Sequence, residues 1–497
     1  MVIYRVIDDG SFEAYDQYGA MVRLGEGLGT TGRLGGEPMR RTIETLRLYR
    51  EIVSTEGLDR VLPITTSPIR EAKNGMEFVK RVRKETGFAF RVLSGKEEAL
   101  FSFLGAAEAM DLSSSVFFDL GGGSLEITST RKAKLVKVMS LPIGALKLAQ
   151  SYTNSRGRYS KKNVEEMERE ILRHLPTRRE LGVDGGAALA GVGGTVRALA
   201  RYDQELKKYP FYKVHNYVLK RAAVESMLER LQKLTPREIA EIEPVGGSRA
   251  ETIVAGALVS SSLMGRLSID ELHASTHGLR DGVLRAFLDD PYLYLKGSLS
   301  EAYVEKSVKP QAGTNVLRHS RPLLKAFEGA GLIKEDQAPA LVHAIRFALG
   351  DGSCLDPFTL FYASMYEDSP LSHSCQLAAS IALVRTRKPR AADWFLARYR
   401  PLLDAECRES IKGLSSVATV MELLERTRCD VITRLGENEI TLEVTSFEDS
   451  FPQRMLEEAV KSLEDDSRMA VAVKVKRGVP GPSKGRRIRV RRYNEET

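Results

Sequence analysis

Residues 116–128, VFFDLGGGSLEIT, place three kinds of chemically useful residue in one short segment. Asp119 ends an apolar run suited to a buried strand, and Glu126 lies in a second such run. Between them is the turn formed by Gly121, Gly122, Gly123 and Ser124. Bare glycines let backbone N–H groups approach an anion, and a carboxylate at a strand end can hold a hard cation. The segment predicts a phosphate cradle on a hairpin, with Asp119 and Glu126 handling metal or water.

Two other interpretations of this stretch are a dinucleotide-binding loop and an ordinary hairpin. A dinucleotide-binding loop needs G-x-G-x-x-G to open a helix after a strand, whereas these glycines join two strands, so that interpretation fails. The remaining alternative is an ordinary type I′ glycine hairpin with a turn aspartate and an exposed glutamate.

An arginine precedes this segment in TTSPIREAKNG, residues 65–75. Ser67 and Pro68 are typical of an N-cap and a first helical residue, which places Arg70 in the first turn. Because strand ends of an α/β sheet face ligands, Arg70 could clamp a phosphate bidentately. A salt bridge to a neighbouring acid is the alternative.

Two adjacent glutamates follow in LSGKEEAL, residues 93–100. Ser94 and Glu97 have the spacing of a capping box, which gives Glu97 a structural task. Glu98 lies one position further round the helix, where a carboxylate is suited to orienting or deprotonating a water.

The elements that must position these residues alternate between strands and helices. Helices are predicted at 40–56, 74–87 and 96–110, and strands at 61–65 and 89–94. From residue 115 the order becomes strand, glycine turn, strand and a further strand at 134–140. A helix at 162–175 and a strand at 187–192 follow, and GVGGT then opens another helix. Helical patterns dominate from about 295 to 427, and EITLEV and AVAVKVKR bracket one last helix.

Four ordered motifs carry a family resemblance: TTSPIREAKNG, LSGKEEA, FFDLGGGSLEI and GVGGT. Over roughly residues 1–290 the chain resembles the exopolyphosphatase and guanosine pentaphosphate phosphatase family of the actin, sugar kinase and Hsp70 superfamily. The resemblance implies an α/β fold with two actin-like domains closing on a phosphate chain. It also implies Mg²⁺, a glutamate-activated water that cleaves the terminal phosphoanhydride, and a homodimer.

The resemblance matches the family's site residues to individual positions of this sequence. Glu98 matches the family's base, Arg70 its substrate arginine, and Asp119 and Glu126 its metal-side carboxylates. The resemblance assigns substrate binding to Gly121, Gly122, Gly123, Ser124, Gly193, Gly194 and Thr195.

The sequence departs from the family pattern at two places. Family members begin with a strand and a D-x-G-S-x-S loop, but residues 2–7 already match the strand after that loop. Asp9-Gly10-Ser11 falls in a hairpin turn between strands 2–7 and 11–15 and cannot replace it. We therefore expect the true start of the gene to lie upstream of Met1, because a missing central strand would expose sheet edges.

The second departure concerns the helical region, which in longer relatives resembles an HD-type phosphohydrolase domain. That chemistry needs an adjacent His-Asp pair, which this sequence lacks. We interpret the region as a scaffold without metal, its scattered histidines being His319, His343 and His373.

These patterns predict five segments. They are actin-like domain I at 1–112, actin-like domain II at 113–295, a degenerate HD-like helical domain at 296–430, a small strand-helix-strand segment at 431–477 and a flexible basic tail at 478–497.

Charge and composition narrow the protein's class. The last 24 residues contribute +7 of the net charge of +8, typical of an arm that binds polyanions, including RNA, or that only aids solubility. Neither a membrane span nor a signal peptide is indicated, so we expect a cytoplasmic protein. The four cysteines lie far apart and indicate neither a zinc knuckle nor a disulfide framework.

Three functions stay open from the sequence. The leading one is an exopolyphosphatase that releases phosphate from inorganic polyphosphate with Mg²⁺. The second is hydrolysis of guanosine pentaphosphate at the same site. The third is a catalytically inactive regulator that binds polyphosphate or a nucleotide, which the missing loop favours.

Overall fold

The computed structural model describes most of the chain. The described residues are 1–7, 12–154, 157–295, 299–307, 320–329, 333, 337–349, 355–427, 429–435, 439–447, 452–467 and 470–477. The chain divides into two compact units. The first comprises Met1–Gln311 and Asp368–Pro370, and the second comprises Ala312–Glu367 and Leu371–Thr497. The turn at Asp9-Gly10-Ser11, His319 and the basic tail 478–497 lie outside the described residues.

The first unit is a mixed α/β structure. Its strands are β1 Val2–Val6, β2 Phe12–Gln17, β3 Ile64–Thr65, β4 Arg91–Val92, β5 Ser115–Leu120, β6 Leu125–Arg131, β7 Lys134–Leu141, β8 Ala188–Val192, β9 Val218–Lys220 and β10 Glu271–Ala274. Its helices are α1 Leu28–Thr31, α2 Gly36–Thr55, α3 Ser67–Glu71, α4 Gly75–Thr86, α5 Gly95–Ala107, α6 Ala145–Tyr152, α7 Lys161–His174, α8 Arg178–Leu181, α9 Gly194–Leu206, α10 Arg221–Leu231, α11 Pro236–Ala240, α12 Ile253–Leu267, α13 Leu279–Asp289, α14 Pro291–Leu295 and α15 Glu301–Ser307.

A six-stranded sheet is the centre of this unit, in the order β7-β6-β5-β8-β10-β9. β5 pairs in parallel with β8, and antiparallel with β6 in the predicted hairpin. Alternation along β5 sends Val116 and Phe118 into a core with α6, α7, α9, α10 and α12, and sends Phe117 into a core with α5 and α13. Residues of β5 at odd positions therefore face α5.

The first hundred residues are arranged around two small sheets. β1 and β2 pair antiparallel, which confirms the predicted hairpin pairing. β3 and β4 pair in parallel and are shorter than predicted. Pro63, just before β3, has no N–H to donate to a ladder, although its carbonyl still accepts from the N–H of Arg91. The predicted helices 40–56, 74–87 and 96–110 are confirmed as α2, α4 and α5, with ends shifted by one to four residues.

Helices α5 and α13 meet backbone to backbone through glycines. A Cβ atom at Gly105 would lie 2.1 Å from the carbonyl oxygen of Gly278, and one at Gly282 would lie 1.8 Å from that of Phe101. Any larger residue at either position would force the two helices apart.

The second unit is helical and ends in a small sheet. Its helices are α16 Ser320–Gly329, α17 Ala338–Leu349, α18 Pro357–Tyr366, α19 His373–Arg387, α20 Pro389–Tyr399, α21 Ala405–Arg426 and α22 Gln453–Ser467, with a 3₁₀ turn at Arg400–Leu402. Its strands are β11 Cys429–Leu435, β12 Glu439–Ser446 and β13 Ala470–Arg477. The predicted bracketing of α22 by β12 and β13 is confirmed, whereas β11 was not predicted. The likeness of the helices to an HD-type domain stays a prediction.

None of the helices within the described ranges is long and apolar enough to cross a membrane.

Candidate active site

Strand register brings Asp119 and Glu126 to one face of the large sheet. The two residues lie directly opposite each other in the β5–β6 ladder, and opposite residues in an antiparallel pair point to the same side. Because Asp119 shares this face with Phe117, both carboxylates lie on the side covered by α5. Glu126 is buried and accepts a hydrogen bond of 2.7 Å from the hydroxyl of Ser140, and Asp119 accepts one from Ser102. Glu126 is thus not the exposed residue that an ordinary hairpin would carry.

The N-terminus of α5 separates the two adjacent glutamates as predicted. Ser94 caps the helix, and the Glu97 carboxylate accepts hydrogen bonds from the N–H and the hydroxyl of Ser94, which confirms the capping box. Glu97 also pairs with Arg91. Glu98 is only 7% exposed and lines a cavity. Glu97 therefore has the structural surroundings expected of it, and Glu98 faces the site.

Arg70 pairs with Glu98. Its Nη1 atom donates to Glu98 Oε2 at 3.1 Å and to the carbonyl of Leu93 at 2.8 Å. Arg70 therefore forms the salt bridge of one sequence interpretation. The acid that it contacts is the candidate base, which keeps Arg70 close to the site required by the other interpretation. The predicted cap is off by one residue: Thr66 is the N-cap of α3, and Ser67 is already helical and buried. A Cβ atom added at Gly123 would lie only 2.3 Å from the Oγ atom of Ser67, so α3 packs tightly against the glycine turn.

Burial raises the pKa values of all three carboxyl groups on this face, and repulsion from neighbouring carboxylates adds to the rise for Glu98 and Glu126. Desolvation is the main cause for Glu98, and the charge of Asp119 adds to it while Arg70 opposes it. Desolvation followed by the charge of Glu98 raises the pKa of Glu126 to about 8. Desolvation raises the pKa of Asp119 against the pull of Ser102, Arg197 and Arg280. The cluster therefore gains stability from a proton or a cation.

The glycine turn is not a type I′ hairpin. That turn requires positive φ at both central residues, and none of Gly121 to Ser124 has positive φ. The carbonyls of Gly121, Gly122 and Gly123 instead accept hydrogen bonds from the first residues of α6 and from the N–H of Gly144. This use of the carbonyls fixes the loop, and its glycines border the adjacent cavity.

A cavity of about 440 Å³ opens beside this turn. Its polar lining includes Arg23, Glu71, Glu98, Ser124 and Lys147, and its apolar lining includes Leu24, Leu28 and Leu146. All four residues of the predicted cradle line it, namely Gly121, Gly122, Gly123 and Ser124. The volume lies within the range of small-molecule sites.

The second glycine turn lies next to the first at the same sheet edge. β5 and β8 are parallel neighbours, with Asp119 opposite Val192, so the loops that follow them are adjacent. Gly193 caps α9 with φ of 114°, and a Cβ there would lie 2.7 Å from the carbonyl oxygen of Leu120. Thr195 is buried against Gly256 of α12. Gly193, Gly194 and Thr195 do not line the cavity as it is described, and their substrate role stays a prediction.

Four neighbouring arginines, which the sequence did not predict, form a cluster beside the second turn. The guanidinium of Arg249 lies against Gly194. Burial, followed by the charges of Arg280, Arg201 and Arg249, lowers the pKa of Arg197, while Asp119 raises it. Arg197 and Arg201 are four residues apart on α9, the helix that GVGGT opens, so they share one face of it. This spacing is the sequence signal that could have predicted the pair.

The carboxylates of Asp119 and Glu126 fit a magnesium ion whose other ligands are waters and substrate oxygens. Mg²⁺ is usually held by one or two carboxylates together with waters and phosphate oxygens. Asp119 and Glu126 lie opposite each other, Glu126 is buried and Asp119 is half-buried, and the pKa values of both are raised, which is the setting that a cation would relieve. Within the described residues, a group of three ligand atoms within 4.8 Å of one another occurs elsewhere, at His215, His277 and Asp368, and not among these carboxylates.

A model of the Ppx/GppA phosphatase family matches residues 2–290, which is more than half of the chain. The chain belongs to this family. The match covers β1 to α13, and it therefore includes both glycine turns, Arg70 and Glu98.

Curated relatives of the family have modest identity to the chain. Exopolyphosphatase 1 of Mycobacterium tuberculosis is 28% identical over 275 residues, which cover 54% of this chain and 79% of the relative. Exopolyphosphatase 2 of the same organism is 29% identical over 275 residues, covering 53% of this chain and 86% of the relative. Among solved structures, an exopolyphosphatase from Cytophaga hutchinsonii has a TM-score of 0.54 at 23% identity, covering 58% of this chain and 93% of that one. That likeness supports the fold alone.

Proposed function

We propose that this protein is an exopolyphosphatase, which hydrolyses the terminal phosphoanhydride bond of inorganic polyphosphate. The observation that carries the proposal is the meeting of Glu98, Asp119 and Glu126 beside a glycine turn whose cavity can hold phosphate groups. The names of the curated relatives support the same reaction.

Glu98 is the proposed general base. It accepts a proton from water as the water oxygen bonds to the terminal phosphorus, and the bond from that phosphorus to the bridging oxygen breaks. The shortened chain leaves with the electron pair of the broken bond. Burial raises the pKa of Glu98 and so strengthens it as a proton acceptor, while its pair with Arg70 keeps the deprotonated form accessible. Arg70 is thus proposed to set the charge of Glu98 as well as to face the phosphate.

Asp119 and Glu126 are the residues proposed to hold Mg²⁺. When bound, the ion would neutralise phosphate oxygens on the substrate. Ser102 and Ser140 orient these two carboxylates by hydrogen bonding. The glycine turn would present N–H groups to the phosphate, and Ser124 would add its hydroxyl.

The four arginines around the second turn support a long polyanion as substrate. Arg201 and Arg280 are exposed, and Arg197 and Arg249 are half-buried. Repulsion among these cations would be relieved by a chain of phosphates lying along them. Their positions next to the Asp119 end of β5 would extend binding beyond the phosphate that is cleaved.

Guanosine pentaphosphate is the second candidate substrate. The bond that would be cleaved is of the same type, and Leu24, Leu28 and Leu146 give the cavity an apolar surface that a nucleoside could contact. Because both substrates would use the same carboxylates, the choice between them depends on the rest of the cavity.

The test is phosphate release by the purified full chain from long-chain polyphosphate and from guanosine pentaphosphate, side by side, with Mg²⁺ or with a chelator. We expect faster release from polyphosphate, and loss of release with the chelator. A clear preference for guanosine pentaphosphate would make it the leading candidate substrate in place of polyphosphate. Binding of either substrate without any release would identify a regulator instead of an enzyme.

A further inference from the structure

A second cluster of ligating side chains lies in the first unit, apart from the carboxylates of the candidate active site. His215, His277 and Asp368 each offer one ligand atom, and these atoms all lie within 4.8 Å of one another. The ring of His215 is edge-on to the ring of His277, with centroids 5.2 Å apart. His277 Nε2 is 3.1 Å from Asp368 Oδ2.

Hydrogen bonding fixes which nitrogen of His215 faces the cluster. His215 is fully buried, and its Nε2 atom is 2.9 Å from the carbonyl oxygen of Ala109. A carbonyl only accepts, so Nε2 carries the proton and Nδ1 presents its lone pair to Thr276 and the cluster. A backbone carbonyl that fixes the ring in this way is a common outer partner of a metal-binding histidine.

His277 has a comparable arrangement with a carboxylate behind it. Its Nδ1 atom lies 3.8 Å from Asp281 Oδ1, and Asp281 itself accepts hydrogen bonds from the N–H of Gly278 and from the hydroxyl of Tyr4. The other nitrogen, Nε2, points to Asp368. Each imidazole is therefore oriented by a backbone or carboxylate oxygen on its far side, and each turns a nitrogen toward the same small volume.

Hydrogen-bonding groups from several segments converge on this volume. The hydroxyl of Thr276 donates to Asp368 Oδ2 at 2.8 Å and lies 3.0 Å from His215 Nδ1, to which the N–H of Thr276 donates at 3.4 Å. Lys213 Nζ approaches the other carboxylate oxygen, Oδ1, at 3.4 Å. Oδ2 and the two imidazole nitrogens thus share a position that suits a cation.

We propose that His215, His277 and Asp368 bind a divalent transition metal, with Zn²⁺ as the best match. Two imidazole nitrogens and one carboxylate oxygen are ligands that Zn²⁺ accepts in open sites, whereas Mg²⁺ prefers oxygen alone. Ligand atoms about 2.1 Å from a tetrahedral metal lie about 3.4 Å apart. The pair His277 and Asp368 is already at 3.1 Å, so binding requires that His215 Nδ1 approach them more closely and that the metal replace the hydrogen bonds of these three ligand atoms.

The charge balance sets the expected affinity. The ammonium of Lys213 opposes a second cation on Asp368, while the carboxylate of Asp281 behind His277 favours it. Such a site is expected to bind more weakly than a structural zinc site with four charged or sulfur ligands. The bound ion would fix residues 368–370 to the turn that begins α13.

The test measures zinc on the full chain in a buffer containing excess Mg²⁺, which occupies oxygen-only sites. Wild-type protein is expected to bind about one Zn²⁺ per chain. His277→Gln and Asp368→Asn, both at partly exposed side chains, should weaken binding by more than the roughly 10- to 100-fold seen when only an outer partner of a ligand is lost. Zinc should also raise the melting temperature of wild type and not that of these variants.

Two matched controls separate this site from other sources of zinc binding. His174→Gln removes a partly exposed histidine from α7, and Cys375→Ser removes one of two thiols that lie 3.3 Å apart in the second unit. Both should bind zinc as wild type does. With Co²⁺ as a probe, we expect visible d–d absorption without a thiolate charge-transfer band. Equal zinc binding by wild type and His277→Gln, or loss of binding in Cys375→Ser, would overturn the proposal and leave a purely hydrogen-bonded cluster.

Discussion

The two turns at the end of the central sheet are both rich in glycine but have opposite surroundings. The turn after β5 joins two antiparallel strands, has no positive φ and lies beside Glu98, Asp119 and Glu126. The turn after β8 opens helix α9 through Gly193 at φ of 114° and lies among four arginines.

The difference indicates how a phosphate substrate would be held. The acidic side favours cations and a water that loses a proton, and the basic side favours the anionic chain. Adjacent parallel strands place both sides at one sheet edge, so a substrate could contact both at once. The following variants test one side at a time, and most are matched with a control.

The largest effect is expected for Glu98→Gln. If Glu98 is the base, turnover of polyphosphate should fall by about 10² to 10⁴, with substrate affinity nearly unchanged, because the base acts in the transition state. Steady-state phosphate release gives both parameters.

Glu97→Gln is the matched control on the acidic side. It weakens the capping box and the pair with Arg91, so we expect about 1 kcal/mol of lost stability and little change in turnover. A large loss of turnover in Glu97→Gln with little loss in Glu98→Gln would show that the two glutamates have been assigned in reverse, and comparable losses in both would remove the distinction between them.

The next effect concerns pH and Glu126. Its pKa is raised to about 8 in the folded protein, so folded wild type keeps a proton that the unfolded chain releases near pH 4.5. Without Mg²⁺, the wild type should therefore lose stability as pH rises from about 4.5 through 8, whereas Glu126→Gln should not lose this contribution. We expect the variant to be more stable by on the order of 1 to 3 kcal/mol at pH 9, measured by urea denaturation.

Added Mg²⁺ provides the check on this interpretation. A cation at Asp119 and Glu126 favours the charged carboxylates, so it should narrow the difference between wild type and variant at high pH. A difference that stays constant with pH would mean that Glu126 is ionised in the folded protein without any cation.

A pair of alanine substitutions compares the two turns directly. Gly193→Ala places a Cβ 2.7 Å from the carbonyl of Leu120 at positive φ, so we expect a loss of about 1 to 3 kcal/mol. Gly122→Ala meets only Leu146 Cβ at 3.6 Å, an ordinary contact, and should change stability by less than about 0.5 kcal/mol. Thermal unfolding of both variants measures the contrast, and equal losses would remove the backbone distinction between the turns.

The smallest effect is expected on the basic side. Arg197→Met removes one of four neighbouring cations, so the KM for long polyphosphate should rise by a few-fold, with a shallower salt dependence. Arg266→Met is the control, because Arg266 lies ten residues along α12 from Gly256, about 15 Å away. Equal KM values for the two variants would exclude the arginines from substrate binding.

Local patterns were enough to predict much of the acidic side. Strand alternation and a four-residue hairpin loop define the register of Asp119 and Glu126, and a capping box distinguishes Glu97 from Glu98. Short-range signals fail where an alternative is nearly equal, as at the cap of α3, where Thr66 takes the place predicted for Ser67.

Clusters assembled from distant segments could not be predicted in this way. Arg249 and Arg280 reach the second turn from separate elements, and residues 215, 277 and 368 meet only after folding. No periodicity within one segment reports such a meeting, because it depends on the sheet order and on helix packing. The histidines that the sequence analysis considered, His343 among them, are not members of the described cluster.

The glycine contact between α5 and α13 has a mechanical consequence. With Gly105 against Gly278 and Gly282 against Phe101, the main chains of the two helices touch at these glycines, which leaves no room there for side chains to slide or repack. We expect α5 and α13 to move together as one rigid body. Glu98 lies in α5 and Arg280 lies in α13, so a rotation that brings Arg280 closer to an anion would also move the Glu98 carboxylate.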